Sequence, residues 1–126
     1  MLRRITTDAT PAALTTDAGA PGSTNQIVLP NSCVIGGLLT VTARATDGTA
    51  KATWFFSLHA RRDNGVGTVN SGMTQLGVAY LAGTASGWTV NLVNDLTNGA
   101  PAVMVTGEAT KTIRWVARLS SVEVVT

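Results

Sequence analysis

The chain has 126 residues, enough for one domain with a single core and too few for two. Charged residues make up only 13%, about half of the roughly 25% usual for a soluble domain, so part of the surface is expected to be covered by other chains. The formal net charge is +2, and no basic run exceeds the pairs Arg3-Arg4 and Arg61-Arg62, which argues against a nucleic-acid partner. The single cysteine, Cys33, excludes an intramolecular disulfide and is expected to be a buried hydrophobe.

Residues 1–23 are rich in Thr, Ala, Pro and Gly and end in the turn-forming run Pro21-Gly22-Ser23. This composition predicts an extended N-terminal arm with at most one short strand, near residues 12–16. No apolar segment follows Arg3-Arg4, so the start does not read as a signal peptide, and no run approaches the length of a membrane helix. The protein is therefore expected to be made in a cytoplasm, without membrane insertion.

From residue 24 onward, apolar stretches recur every 8 to 15 residues with turn signals between them, which predicts an all-β domain over residues 24–126. The clearest strands cover 52–61 and 112–125, where apolar and polar residues alternate with a period of two. This alternation places Trp54 and Trp115 on core faces, and Trp88 on the core face of a third strand.

Turn residues separate the predicted strands at suitable places. Asp47-Gly48, Asp63-Asn64-Gly65 and Asn98-Gly99 predict hairpins, and residues 107–110 connect to the last strand. About eight strands result, which predicts an antiparallel β-sandwich, jelly-roll or Greek-key like, whose strand order the sequence leaves open.

Few residues offer chemistry. The single His59 excludes a two-histidine metal site, and no serine lies in a nucleophile-elbow context. Residues 94–99 have some residue types of a calcium loop without its order, and Asp95 reads as a turn residue, like Asp8, Asp17, Asp47 and Asp63. We expect no enzyme activity, no metal and no cofactor.

The same alternation turns a second set of side chains away from the core. Two interpretations remain open for them: they solubilise an exposed sheet, with the arginines paired to Glu108 or Glu123, or they line an interface or a saccharide- or acid-binding face. The outward apolar residues favour a covered face. The candidate residues are Phe55, His59, Arg61, Arg114, Val116 and Arg118.

Several segments spread over nearly the whole chain are similar to a small β domain that recurs in tailed-bacteriophage virion proteins, often in tail fibres and spikes. They are Thr6-Thr7-Asp8-Ala9-Thr10-Pro11, Leu14-Thr15-Thr16-Asp17, Asn25-Gln26-Ile27-Val28-Leu29-Pro30-Asn31-Ser32, Ala43-Arg44, Arg61-Arg62, Val105-Thr106-Gly107 and Ile113-Arg114-Trp115-Val116-Ala117. The last of these is the most specific. None is a catalytic signature, so the resemblance implies a part of a virion rather than a reaction.

The resemblance implies a structural component of the virion surface, assembled in the host cytoplasm and forming a homotrimer with contacts to capsid or tail proteins. A free-standing chain of this size fits a capsid decoration protein or head fibre as well as a tail-fibre or spike module. Such a chain needs an anchor, and the arm supplies the candidates Arg3, Arg4, Ile5 and Leu14.

The alternative is a lectin-like module that binds host-surface glycan. A sugar platform needs an accessible aromatic ring, and the three tryptophans fall on core faces. Phe55 and Tyr80 are the aromatic residues left for that role.

Overall fold

The computed structural model describes residues 1–126 and contains nine strands, two short 3-10 turns and no α-helix. The strands are β1 (Leu2–Thr6), β2 (Ala12–Ala13), β3 (Cys33–Ala45), β4 (Lys51–Arg62), β5 (Asn70–Gln75), β6 (Tyr80–Ala82), β7 (Thr89–Asp95), β8 (Ala100–Thr106) and β9 (Ile113–Val125). The chain has no helix of the length and hydropathy needed to cross a membrane. The predicted all-β class is confirmed.

Two antiparallel sheets form the sandwich. The larger has the order β1-β9-β3-β4-β5, with β6 also pairing with β4, and the smaller has the order β2-β8-β7. The last strand, β9, lies between β1 and β3, so the two ends of the chain meet in one sheet. The antiparallel sandwich is as predicted, while this strand order could be known only from the structure.

The core fills the space between the sheets and centres on three indole rings. Trp54, Trp88 and Trp115 are almost completely buried, as the alternation predicts. The Trp115 ring stacks on Trp54 with centroids 5.9 Å apart and meets Trp88 at 5.6 Å, in a tilted arrangement. Cys33 is buried at the start of β3, as expected.

Residues 1–23 do not form the expected arm outside the sandwich. Residues 2–6 pair as β1 with residues 113–117 of β9, and Leu2 and Leu14 belong to the core. Arg3 and Thr15 exchange two backbone hydrogen bonds, of 2.8 and 3.1 Å, which bring the segment back beside β1. The Arg4 guanidinium also donates to the Ala18 and Gly19 carbonyl oxygens. The Thr- and Gly-rich composition of residues 1–23 does not indicate a strand. β1 forms because it pairs with β9, which is more than 100 residues away in sequence.

The predicted hairpins connect β3 to β4, β4 to β5 and β7 to β8. Gly48 and Gly99 have φ angles of 77° and 73°, the left-handed region that glycine adopts without a steric penalty. The turn chemistry of the sequence was therefore sufficient to locate these three connections.

The β7–β8 turn is organised by the Asp95 carboxylate. Its oxygens accept hydrogen bonds from the backbone N–H groups of Thr97 and Asn98 and from the side-chain amides of Asn98 and Gln26. Partial burial raises the pKa of Asp95, but the amide donors of Asn98, Gln26 and Thr97 outweigh it and hold the pKa below the usual 3.8. Segment 94–99 is thus the predicted turn.

Asp95→Asn is expected to lower the free energy of unfolding by about 1 kcal/mol at neutral pH, because an amide cannot accept all four of these hydrogen bonds. A carboxylate with a depressed folded-state pKa contributes stability that is present above pH 3.8 and is lost as pH falls through the folded-state value. The difference between wild type and variant should therefore shrink below pH 3.8. Urea denaturation at pH 7 and pH 3 measures the free energy of unfolding of both proteins. An equal difference between them at the two pH values would contradict this role of Asp95.

Candidate interaction surface

The larger sheet turns one side away from the smaller sheet, and we call this side the outer face. All six residues predicted to point away from the core are exposed on it: Phe55, His59, Arg61, Arg114, Val116 and Arg118. Phe55 is 51% exposed and Val116 42%. The period-two alternation was therefore correct for both long strands that supply them.

One end of the outer face carries cations without carboxylate partners. The strand register places Arg44 directly opposite Arg114 on one side and Lys51 on the other. Like charges directly opposite one another on neighbouring strands are unfavourable. The three ion pairs of the structure, Arg61–Asp63, Lys111–Asp47 and Lys111–Glu108, involve none of these cations. This cationic end comprises Arg3, Arg44, Lys51, Arg114 and Arg118.

Two residues reach the outer face because β1 joins the sheet. Arg3 lies opposite Val116 and Ile5 lies opposite Arg114. Both are exposed, Ile5 to 52%, whereas Leu14 is buried in the core and Arg4 holds the 18–19 turn. Of the four predicted anchoring residues, only Arg3 and Ile5 therefore present exposed side chains on this face.

The opposite end of the outer face is apolar. Val34, Leu38, Val122 and Val124 are 57%, 58%, 78% and 62% exposed, and Val34 lies opposite Val124. We call these four residues the apolar end. Val34 and Arg44 are ten positions apart on β3, about 33 Å at roughly 3.3 Å per residue. This group was not predicted, although the same alternation of inward and outward residues, extended through β3 and the end of β9, indicates it.

The free edge of β9 borders the apolar end. β1 covers β9 only at residues 113–117, and residues 118–125 pair with β3 alone. This edge has no proline or lysine, and Arg118 and Glu123 are its only charged residues, so most of its length remains able to pair with a strand of another chain. The apolar end and this edge together form a surface suited to another chain.

Arg61 and His59 differ from the other cations on the outer face. Arg61 pairs with Asp63 at 2.7 Å, two residues along the chain. The His59 ring lies over Gly72 on β5, where a β-carbon would come within 2.5 Å of it. Both side chains thus have local partners.

A second charged cluster, around Glu108, connects two loops by hydrogen bonds and an ion pair. Glu108 accepts hydrogen bonds from the Thr84 hydroxyl and the Trp88 indole N–H, and the Lys111 ammonium lies 3.6 Å from it. The Thr84 hydroxyl, followed by the Trp88 indole, lowers the pKa of Glu108 below its usual value. Lys111, rather than an arginine, is therefore the cation beside Glu108, and the cluster joins the β6–β7 and β8–β9 connections. No group of three or more His, Cys, Asp or Glu side chains is placed to hold a metal ion.

Comparison with known proteins shows a likeness in fold. No protein-family model and no curated protein sequence matches the chain. The chain is similar to part of the tailspike protein of Acinetobacter phage vB_ApiP_P1, with 17% sequence identity and a TM-score of 0.50, covering 100% of this chain and 22% of the tailspike. Alignment with the tailspike protein of Acinetobacter baumannii phage AM24 gives 9% identity and a TM-score of 0.41, covering 92% of this chain and 26% of that one. The chain thus spans about a quarter or less of each tailspike.

Proposed function

We propose that this chain is a non-enzymatic structural module of a bacteriophage virion, belonging to a tail spike or fibre, and that it assembles as a homotrimer in contact with other tail proteins. The exposed apolar end is the observation that carries the proposal. Contiguous apolar surface of this kind on a β-sheet marks an interaction site, and cyclic homo-oligomers bury such surfaces in closed contacts. The low overall charge of the chain agrees with a surface that is partly covered.

The fold likeness favours the tail over the capsid shell as the location. The fold matched at a TM-score of 0.50 is part of a tailspike protein. Labelling of the parent particle with gold-conjugated antibody, viewed by electron microscopy, tests this location. We expect gold particles at a few positions on the tail. Uniform labelling of the shell would instead indicate a capsid decoration protein.

Val122→Asp is expected to convert the oligomer to a monomer. Val122 is 78% exposed at the centre of the apolar end, and a carboxylate buried there without a partner would oppose association. Light scattering coupled to size exclusion measures the mass. Val78→Asp is the matched control, because Val78 is 96% exposed in the β5–β6 loop, and β4 separates this loop from β3 and β9.

The control variant should keep the mass of the wild type. If wild-type protein is a monomer, or if both variants dissociate equally, the apolar end is not the assembly surface.

A second candidate function, glycan binding, rests on a separate observation at the cationic end. The hydroxyls of Thr42 and Thr53 lie 3.2 Å apart on the outer face, next to arginines and the half-exposed Phe55 ring. Hydroxyl groups, guanidinium groups and an accessible ring are the donors and apolar contact that a sugar chain requires.

A further inference from the structure

Three shallow depressions on the cationic end share lining residues, and we call them together the trough. The first is lined by Arg44, Thr46 and Arg114, the second contains Arg3 and shares Arg114, and the third contains Arg118. Val116 lines both the second and the third. From Arg114 to Arg118 the trough follows four residues of β9, about 13 Å.

The charge of this trough is of one sign only. Its lining includes no carboxylate and five arginines, of which Arg4 donates to the Ala18 and Gly19 carbonyl oxygens; the other four are Arg3, Arg44, Arg114 and Arg118. None of the four guanidinium groups has a carboxylate within 4.0 Å. Four unpaired guanidinium groups on one surface repel one another, and an anionic ligand would remove that repulsion.

We infer that the trough binds a carboxylate-bearing polysaccharide. A guanidinium group is a planar fork that matches a carboxylate with two parallel hydrogen bonds. The hydroxyls of Thr40 and Thr42 line the third depression and offer partners for sugar hydroxyls. Each of the three depressions is open to solvent, so an extended chain can reach them, and four free guanidinium groups are too few for the counterion release that drives duplex DNA binding.

This inference deepens the glycan-binding role and does not depend on assembly through the apolar end. The test is titration calorimetry with oligogalacturonate, neutral dextran and duplex DNA at low ionic strength, where surface electrostatics are least screened. We expect binding of oligogalacturonate that weakens with added salt, and no binding of dextran.

Arg114→Ala and Arg118→Ala should each weaken oligogalacturonate binding about tenfold, because each removes a charge-assisted pair of hydrogen bonds. Arg61→Ala is the matched control: it removes the same charge from the same face, but Arg61 is paired with Asp63 and lies outside the trough. Binding by this control should equal that of wild type.

The inference is overturned if oligogalacturonate does not bind, if duplex DNA binds as tightly, or if Arg61→Ala weakens binding as much as Arg114→Ala. Val122→Asp separates this result from the structural proposal, since Val122 lies four residues of β9, about 13 Å, from Arg118, and the monomeric variant should retain the trough and its single-site affinity. Loss of assembly with retained binding would support the trough, and retained assembly with no binding would refute the trough alone.

Discussion

Trp115→Ala is expected to lower the free energy of unfolding by about 3–5 kcal/mol, from lost burial and the cavity left behind. Trp115 is fully buried between Trp54 and Trp88. Its indole N–H donates to the Thr6 hydroxyl at 2.9 Å, the side-chain bond that fastens β1 to β9. The substitution therefore removes the centre of the core and leaves a buried hydroxyl without its donor. Chemical denaturation followed by circular dichroism measures the change.

Arg118→Ala is the matched control on the same strand, and it should change stability by no more than about 0.5 kcal/mol because the residue is exposed. If Arg118→Ala were the more damaging variant, β9 would be shifted by one residue and every side chain on it would face the other way. The outer face would then carry the other set of β9 side chains.

Gly37→Ala is expected to lower the free energy of unfolding by about 3 kcal/mol. A β-carbon at Gly37 would clash with the backbone carbonyl oxygen of Ser120 on β9. Since a backbone atom cannot rotate away as a side chain can, the β3–β9 pairing itself must shift. Thermal unfolding monitored by circular dichroism should show a clear decrease in the melting temperature.

The neighbouring residue provides the control. A β-carbon at Gly36 would meet nothing within 4 Å, and the residue points to the outer face. Gly36→Ala should therefore leave stability unchanged or raise it by a few tenths of a kcal/mol through the reduced freedom of the unfolded chain. Equal effects at both positions would show that β9 does not approach β3 as closely as the structure indicates.

Gly37 also shows how the fold supports the candidate surface. The register of β3 and β9 places Leu38 and Val34 on the same side as Val122 and Val124, and the close approach at Gly37 keeps the two strands together there. A widened spacing would separate these side chains. Gly37→Ala therefore tests the geometry of the apolar end as well as stability.

Most of the strands, the three hairpin turns and the buried tryptophans were predictable from the sequence. The reason is local: alternation with a period of two and turn residues such as Asp47-Gly48 act over a few neighbouring positions. The same local rule placed Phe55, Arg114 and Arg118 correctly on the outer face. It located outward residues without showing which of them lie together.

The errors concern contacts between distant segments. β1 was not recognised as a strand because Leu2–Thr6 has only two core positions, and its partner is β9 at the other end of the chain. Arg3 therefore joined the outer face unexpectedly, as did Ile5. The apolar end was missed because Val34 and Val124 lie 90 residues apart and become neighbours only through strand register.

By itself the sequence determined the all-β class, the faces of the long strands and the positions of the tight turns, because backbone preference and side-chain alternation are local properties of the chain. Only the tertiary structure decided that β9 lies between β1 and β3, and with it which outward residues form one surface. Strand order is fixed by the burial of side chains between two sheets, an interaction that depends on the whole chain at once. The division of the outer face into a cationic end and an apolar end is a consequence of that order.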